Sequence, residues 1–387
     1  MLKLYIVFVA VIEDEVESVK LLFVGDVVMT ADKTVNLSDE VKKIFNKYDL
    51  RCCNFEGPVV KDNTPFSKKI GPLIKQERHS ASNIVDLGFN CVCLANNHIF
   101  DYGCEGLKHT VDALSNVDTV GASISKENVY KPVIKTINGI TVGIINVAEN
   151  GFGCEASSKS NIGYAWMFHN DIEKYIVDTK KKCDFLIMVC HAGLEKVNYP
   201  LPEFREQYKR FIDYGADAII AHHPHVVQGW EYYNNKLIAY SLGNFIWQKS
   251  KLYSPNTIMI GLDVNSKEES SVSIYYVTQN GDTIELCEDK GFIAEVKKYC
   301  SVLKNDEKYL EIINKECDRI FEENYRRYYA LAAGVYASGS LKSRIKAAVK
   351  MLFRGNKMDD LLLYHNLSIE THVWTCKRAL KNILKME

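Results

Sequence analysis

The chain has 387 residues, with 48 Lys and Arg against 49 Asp and Glu, and 47% of it is hydrophobic. That length suits one large α/β domain with an appendage, or two domains. The near-zero net charge excludes the global basic excess of a nucleic-acid binder, so no nucleic-acid partner is expected.

Residues 4–12 form an apolar run behind Lys3 that is too short to span a bilayer. Glu13-Asp14-Glu15 follows at once, with no small-X-small cleavage site, so a strand is favoured over a signal-peptide core. Residues 19–24 form a second apolar run, ending in Gly25-Asp26-Val27-Val28-Met29. This reads as a buried strand that leaves a carboxylate at its tip. Residues 38–47 read as a helix capped by Ser38, with Val41, Ile44 and Phe45 on one face. The next strand, 49–55, delivers Asn54-Phe55-Glu56 to a Gly57-Pro58 stop. Residues 63–72, with Lys68 and Lys69, read as a solvated turn, or alternatively as a cover for a site or a contact for an anionic substrate.

A short helix over 82–87 stops at Gly88. The strand 89–95 then ends in Asn96-Asn97-His98-Ile99-Phe100-Asp101, ahead of a helix over 105–114. Strands follow over 141–147 and 184–189, the second ending at His191-Ala192-Gly193-Leu194-Glu195. A helix over 202–214 presents Phe204, Tyr208 and Phe211 on one face. It leads into the strand Ala218-Ile219-Ile220-Ala221, which closes in His222-His223-Pro224-His225. Pro224 lacks an N–H and fixes its φ, which ends that strand. A strand over 237–240 precedes Ser241-Leu242-Gly243-Asn244-Phe245, and 259–264 and 271–277 read as an antiparallel pair. The spacing predicts helices over 294–324, 326–337 and 341–353. The last is amphipathic: Ile345, Ala348, Val349, Leu352 and Phe353 share one face, and Lys346, Lys350 and Arg354 the other. The segment 341–354 reads as the solvated face of a packed helix or as a surface for peripheral contact with an anionic membrane.

The twelve cysteines show no CxxC spacing. Cys52, Cys53, Cys91, Cys93, Cys183 and Cys190 lie in or beside apolar runs, as small buried hydrophobes do. Reduced thiols in a reducing compartment are the favoured reading, with a scattered-cysteine zinc site as the weaker one. A cytoplasmic or inner-membrane-peripheral protein is therefore expected, with secretion as the alternative.

Strands alternate with helices, and polar groups gather at the strand tips. That is a layered α/β pattern, in which ligand chemistry sits at the C-terminal ends of strands. The tips carry Asp26, Glu56, Asn97, His98, His191, His223 and His225. Unpaired carboxylates and imidazoles are costly to bury, so packing does not explain this placement. A mixed set of carboxylate, imidazole and amide oxygen suits one or two Mn, Fe or Zn ions with a position left for water. Such an ion activates water for hydrolysis. Glu56 is the candidate bridge between two ions. His98 is the candidate general acid, with Asp101 orienting its ring.

Taken in order, Gly25-Asp26, Asn54-Phe55-Glu56, Ala95-Asn96-Asn97-His98 with Asp101-Tyr102-Gly103, His191-Ala192-Gly193 with Glu195, His222-His223-Pro224-His225 and Tyr240-Ser241-Leu242-Gly243-Asn244-Phe245 resemble the CapA-type poly-γ-glutamate and capsule biosynthesis proteins. These belong to the calcineurin-like metallophosphoesterase superfamily. The resemblance implies a four-layer α/β/β/α sandwich over 19–290, with a helical C-terminal extension over 291–387 that matches no motif. It makes Asp26, Glu56, Asn97, His191, His223 and His225 the metal ligands and His98 the catalytic imidazole. Asn54, Glu195, His222 and Asn244 fall around them, as residues that orient ligands or meet substrate. Val28 departs from the superfamily pattern Asp-X-His, and Glu56 stands in Asn-X-Glu where Gly-Asp is usual. The set of Glu56, Asn97, His191 and His223 is thus the more complete, and His225 serves the position that lacks its partner. The expected function is metal-dependent hydrolysis, of a phosphoester first, in capsule, poly-γ-glutamate or exopolysaccharide production. A non-catalytic accessory subunit of a polymer synthesis or export complex is the first alternative, and an amide or ester hydrolase acting on the polymer the second. An anionic polymer or phosphoester and the exopolymer assembly proteins are the expected partners.

Overall fold

Strand β1 (Val19–Val28) is buried along its whole length except at Lys20, as a strand covered on both faces must be. The computed structural model describes residues 18–30, 33–152, 154, 162–248, 254–265, 270–332, 341, 342, 345, 349 and 357–386. The apolar run 4–12 and most of the amphipathic segment 341–353 lie outside the described residues. After β1 come β2 (Asn36–Leu37), α1 (Asp39–Phe45), β3 (Leu50–Phe55), α2 (Ser80–Asp86), β4 (Cys91–Cys93), α3 (Gly103–Ala113) and β5 (Asp118–Val120). The middle of the chain forms β6 (Ala122–Ser123), α4 (Lys126–Val129), β7 (Val133–Ile137), β8 (Ile140–Ala148), β9 (Gly163–Tyr164), α5 (Ile172–Lys180), β10 (Phe185–His191) and α6 (Pro202–Asp213). Then follow β11 (Ala218–His222), β12 (Val227–Tyr233), β13 (Lys236–Leu242), β14 (Asn244–Trp247), β15 (Asn256–Val264), β16 (Ser270–Asn280) and β17 (Thr283–Leu286). The chain closes with α7 (Lys290–Leu303), α8 (Asp306–Ile320), α9 (Arg326–Ala332), α10 (Lys357–Ser368) and α11 (Glu370–Leu384).

Two sheets result. One runs β2-β17-β16-β15-β1-β3-β4-β5, with β14 also on β1, and the other β12-β13-β11-β10-β8-β7. Their inner faces share one apolar cluster, in which Leu21, Phe23, Cys52 and Cys91 meet Ile144, Ile187, Ile220 and Ala239. The outer face of the first sheet is covered by Val41, Phe45, Ile84 and Leu107 of α1, α2 and α3. On the outer face of the second lie Ile176, Phe204, Tyr208 and Phe211 of α5 and α6. The order is helix, sheet, sheet, helix, the expected four-layer sandwich. β1, β3, β4 and β5 are parallel, as are β8, β10, β11 and β13. Parallel strands collect their C-terminal ends on one edge, which is where the polar tips meet.

Local chemistry accounts for the boundaries. Ser38 Oγ accepts from Val41 N at 3.3 Å, and Val41, Ile44 and Phe45 are buried. Gly25 has no room for a side chain, because a Cβ there would lie 2.0 Å from the Gly243 carbonyl oxygen. That close approach lets Asp26 N donate to Gly243 O at 2.9 Å, locking β1 to the turn before β14. All twelve cysteines are free, and most are buried.

The single helix expected over 294–324 is instead two, α7 and α8, followed by one π-helical turn at Phe321–Tyr325. Asn305 makes the break, its side chain accepting from Lys308 N at 3.0 Å, because an N-cap amide competes with helix continuation. Helix α9 is described over Arg326–Ala332, and the rest of the expected 326–337 helix lies outside the described residues. These helices pack on the second sheet: Leu303, Tyr309, Ile313 and Ala379 belong to the same cluster as α6. Arg205 of α6 pins them further, bonding Glu231 at 2.7 and 2.6 Å, Asp306 at 2.7 Å and Leu303 O at 2.8 Å. No described helix is long and apolar enough to cross a membrane.

Candidate metal centre

Asp26 occupies the end of β1 and is fully buried. One of its carboxylate oxygens accepts from Asn54 Nδ2 at 2.7 Å and lies 3.5 Å from His222 Nδ1 and 3.9 Å from His191 Nδ1. The other lies 3.4 Å from His225 Nδ1 and 3.4 Å from the His223 backbone N–H. Burial raises this carboxyl, but His225 and then His222 outweigh it and hold Asp26 below the usual range.

Glu56, just past β3, has 0% exposure and no hydrogen-bond partner for either oxygen. His225 Nε2 stands 3.7 Å and His98 Nε2 3.8 Å from its Oε1. Burial is the main cause that pushes the Glu56 carboxyl up. Burial alone would lower His225, yet Glu56 and Asp26 drive that imidazole upward. Two buried carboxylates therefore compete for positive charge at one point. Asp26, Glu56 and His225 place one ligand atom each within 4.8 Å of one another.

A second convergence lies beside it. His191 Nε2 is 3.0 Å from Asn97 Oδ1 and 3.1 Å from His223 Nδ1. Burial, then His223, holds His191 well below its ordinary value, so its ring is neutral and able to offer a lone pair. Asn54 Nδ2 is 3.1 Å from His191 Nδ1 on the far side of the ring. Unpartnered buried atoms are rare in folded proteins. Here Glu56 Oε1 and Oε2, Asn54 Oδ1 and His222 Nδ1 all lack a hydrogen-bond partner. Oxygen and imidazole donors orphaned in this way fit a divalent cation.

The loop that ends β11 bends sharply, with φ of 99° at His223 and 59° at His225. Such left-handed backbone at residues with a Cβ is costly and collects at functional sites. It turns both rings inward. His225 Nδ1 also meets Asn244 Oδ1 at 2.9 Å, which directs Nε2 toward Glu56. Asn96 holds the neighbouring turn, its Oδ1 accepting from Gly57 N at 3.3 Å and His98 N at 3.2 Å.

The structure brings Asp26, Asn54, Glu56, Asn97, His98, Asp101, His191, His222, His223, His225 and Asn244 together. Glu195 is exposed on the loop after β10. Although the residue as a whole is exposed, its carboxyl faces inward, where burial raises it; His225, His223 and His98 outweigh this and lower it. Glu56, expected as the bridge and beside Asn97, His191 and His223, stands with Asp26 and His225, each offering one ligand atom within 4.8 Å of the others. At that place Val28 is in register with Trp247, whose indole packs on His225 with ring centroids 4.6 Å apart.

His98 Nδ1 donates to Asp101 Oδ2 at 2.7 Å, leaving Nε2 directed at Glu56. Burial and then Lys69 lower the His98 imidazole. Burial raises the Asp101 carboxyl, but His98 and Lys69 overcome it and hold Asp101 low. Within the largely exposed loop 63–72, Lys69 departs from the solvated-turn reading and fits the alternative of a cover for the site: its side chain is 5% exposed, is paired with Asp101 and stands 3.2 Å from His98 Nδ1. An apolar Phe152 face lies 5.9 Å from its ammonium.

Sequence reasoning missed Trp247 and Glu149, and reached Lys69 only through the alternative reading of 63–72. Lys69 sits in an irregular loop and carries no periodic signal. Trp247 follows the last motif by two positions. Glu149 directly follows the apolar strand β8, the same strand-then-carboxylate pattern that marks Asp26, so a readable signal existed. Its Oε1 lies 3.7 Å from His223 Nε2 and accepts from Gly193 N at 3.1 Å. Burial, then Glu370, pushes its carboxyl up to about 8.

A family model for the bacterial capsule synthesis protein PGA_cap matches residues 20–249. The PGA biosynthesis protein CapA of Bacillus subtilis (strain 168) is 33% identical over 243 residues, 59% of this chain and 63% of that protein. The capsule biosynthesis protein CapA of Bacillus anthracis is 31% identical over 267 residues, 61% of this chain and 62% of that protein. The matched part thus spans less than two thirds of either relative's length. Among solved structures, a 5'-nucleotidase precursor from Thermus thermophilus aligns at 13% identity with a TM-score of 0.42, over 73% of this chain and 58% of that one.

Proposed function

Because the chain belongs to the family of bacterial capsule synthesis proteins, PGA_cap, we propose that it is a divalent-metal-dependent hydrolase, of phosphoesters first, acting in the making of a capsule or polyglutamate-type polymer. One observation carries this reading. Two ligand sets, Asp26–Glu56–His225 and Asn97–His191–His223, lie beside an imidazole held by a carboxylate.

Asp26, Glu56 and His225 would hold one ion, and Asn97, His191 and His223 a second. Mn, Fe and Zn all suit these donors. A bound divalent ion supplies Lewis acidity, polarising an ester oxygen and making water acidic enough to attack near neutral pH. The protein's own groups do the rest. Asp101 fixes the His98 tautomer with Nδ1–H inward, so Nε2 is the atom that exchanges a proton with the leaving group. Lys69 keeps Asp101 ionised and adds positive charge near an incoming anion. Asn54 and Asn244 hold Asp26 and His225 in their orientations.

The apolar filling at Val28 and Trp247 supports a second reading, in which the centre binds metal without turnover and the protein serves as an accessory subunit of a polymer assembly. Assay of the purified chain with Mn2+ on a chromogenic phosphodiester and phosphomonoester separates the two. The hydrolase reading expects turnover that His191→Ala abolishes together with bound Mn2+. Equal turnover in His191→Ala sinks it, and bound Mn2+ without turnover selects the accessory role.

A further inference from the structure

Helix α11 starts against the centre. The Glu149 carboxylate, 2% exposed, stands between them. On one side it faces His223 Nε2 and the Gly193 amide. On the other, Oε2 accepts from Thr371 N at 3.1 Å and from Thr371 Oγ1 at 2.5 Å. Thr371 Oγ1 is also 3.2 Å from Gly193 O, and the residue is 4% exposed. The preceding residues strengthen the attachment. Glu370 accepts from Asn150 N at 2.7 Å and Trp166 Nε1 at 2.9 Å, and Asn150 Nδ2 donates to Ser368 O at 3.1 Å.

The His223 ring spans this arrangement. Its Nδ1 faces His191 Nε2 in the ligand set, and its Nε2 faces Glu149. A carboxylate behind a ligand imidazole fixes its tautomer and orientation, and loss of such a partner costs roughly 10- to 100-fold in metal affinity. Glu149 is itself held from residues 222 positions further along the chain. Those residues lie beyond the 20–249 stretch that the family model matches.

We propose that Thr371, at the start of the C-terminal helix α11, is a positioning residue of the metal centre, acting through Glu149 on His223. The C-terminal helices are then part of the centre's construction. The inference rests on the reading of His223 as a metal ligand. The rival role is a plain structural tie, in which Thr371 only fastens α11 to the body.

The test uses the full chain with Thr371→Val, which keeps the shape and loses the hydroxyl, and Thr371→Ser, which keeps the hydroxyl. Thr371→Ala stands in if the valine variant does not fold. Two readouts are taken: the 15N shifts of the His223 ring in metal-free protein, assigned by their loss in His223→Asn, and Mn2+ affinity by equilibrium dialysis. The valine variant is expected to move the His223 ring shifts and weaken Mn2+ binding by about tenfold, with serine restoring both. Unmoved His223 shifts, or unchanged Mn2+ affinity beside a lowered unfolding midpoint, overturn the proposal. A wild-type chain that takes up no Mn2+ instead defeats the metal reading, and the ring shifts alone then decide whether Thr371 positions His223.

Discussion

Asp101 shows how much one side chain decides in this centre. Its Oδ2 accepts from both His98 Nδ1 and Ile74 N, each at 2.7 Å, and its other oxygen meets Lys69. Asp101→Asn puts an amide where a carboxylate holds the imidazole, so the ring loses its tautomer preference and Lys69 loses its counter-charge. Turnover is expected to fall by about a hundredfold or more, while bound Mn2+, measured by elemental analysis, stays at the wild-type level. Wild-type rates in that variant would remove His98 from the chemistry. At this scale the candidate ligands were legible because an imidazole or carboxylate directly after an apolar run has no packing explanation. Asp26, Glu56, His191, His223 and His225 all carry that signature, and Glu149 carries it too. Lys69 did not, because a lysine in an irregular loop looks the same whether it is solvated or 5% exposed. The pairing of Glu56 with His225 was also hidden, since which ligands share a point is decided by loop geometry, here the positive φ at His223 and His225.

Helices α10 and α11 bring a second group of imidazoles together. His365 and His372 have ring centroids 4.9 Å apart, His372 Nδ1 donates to Asn366 Oδ1 at 3.1 Å, and the Tyr325 ring is 5.1 Å from His372. Phe152 faces His365 at 5.4 Å, and Lys69 contributes positive charge there. Burial, then Lys69, lowers His365 to about 4; burial, then His365, lowers His372 to about 3. Both folded values lie below the unfolded value of 6.5. The unfolded chain therefore takes up protons first as pH falls. Nothing is lost above pH 6.5, and stability declines from there toward the folded values, by at most about 1.4 kcal/mol per group per pH unit. The thermal midpoint is expected to drop as pH falls from 6.5 toward about 4, and less so in His365→Gln/His372→Gln; identical pH profiles would show that these rings are not responsible. Elements were legible where apolar periodicity was long, as in β1, β10, β11 and α6. The break at Asn305 was not, because an asparagine inside an amphipathic pattern reads equally as an interior residue or a cap.

For the molecule as a whole, a metal bound only by the folded state adds stability by mass action, about 2.7 kcal/mol at a hundredfold excess over its dissociation constant. Mn2+ is expected to raise the unfolding midpoint of the full chain and a chelator to reverse the rise, with His191→Ala insensitive to both. A wild-type midpoint that ignores Mn2+ would count against a formed centre. The layered α/β pattern was legible in the alternation of strands and helices, whereas the four-layer sandwich came with the resemblance to the CapA-type proteins. The placement of β1 was less so, since nothing local says that a strand near the start lies between β3 and the antiparallel β15. That placement bears on biosynthesis. β1 leaves the ribosome before its neighbour β15, which starts only at Asn256, and Glu149 waits for Thr371. Until those segments appear, the nascent chain presents an open strand edge and an unshielded group of carboxylates and imidazoles. Contacts this distant in sequence make for slow closure, so the incomplete chain is the form most exposed to aggregation and to premature capture of stray metal.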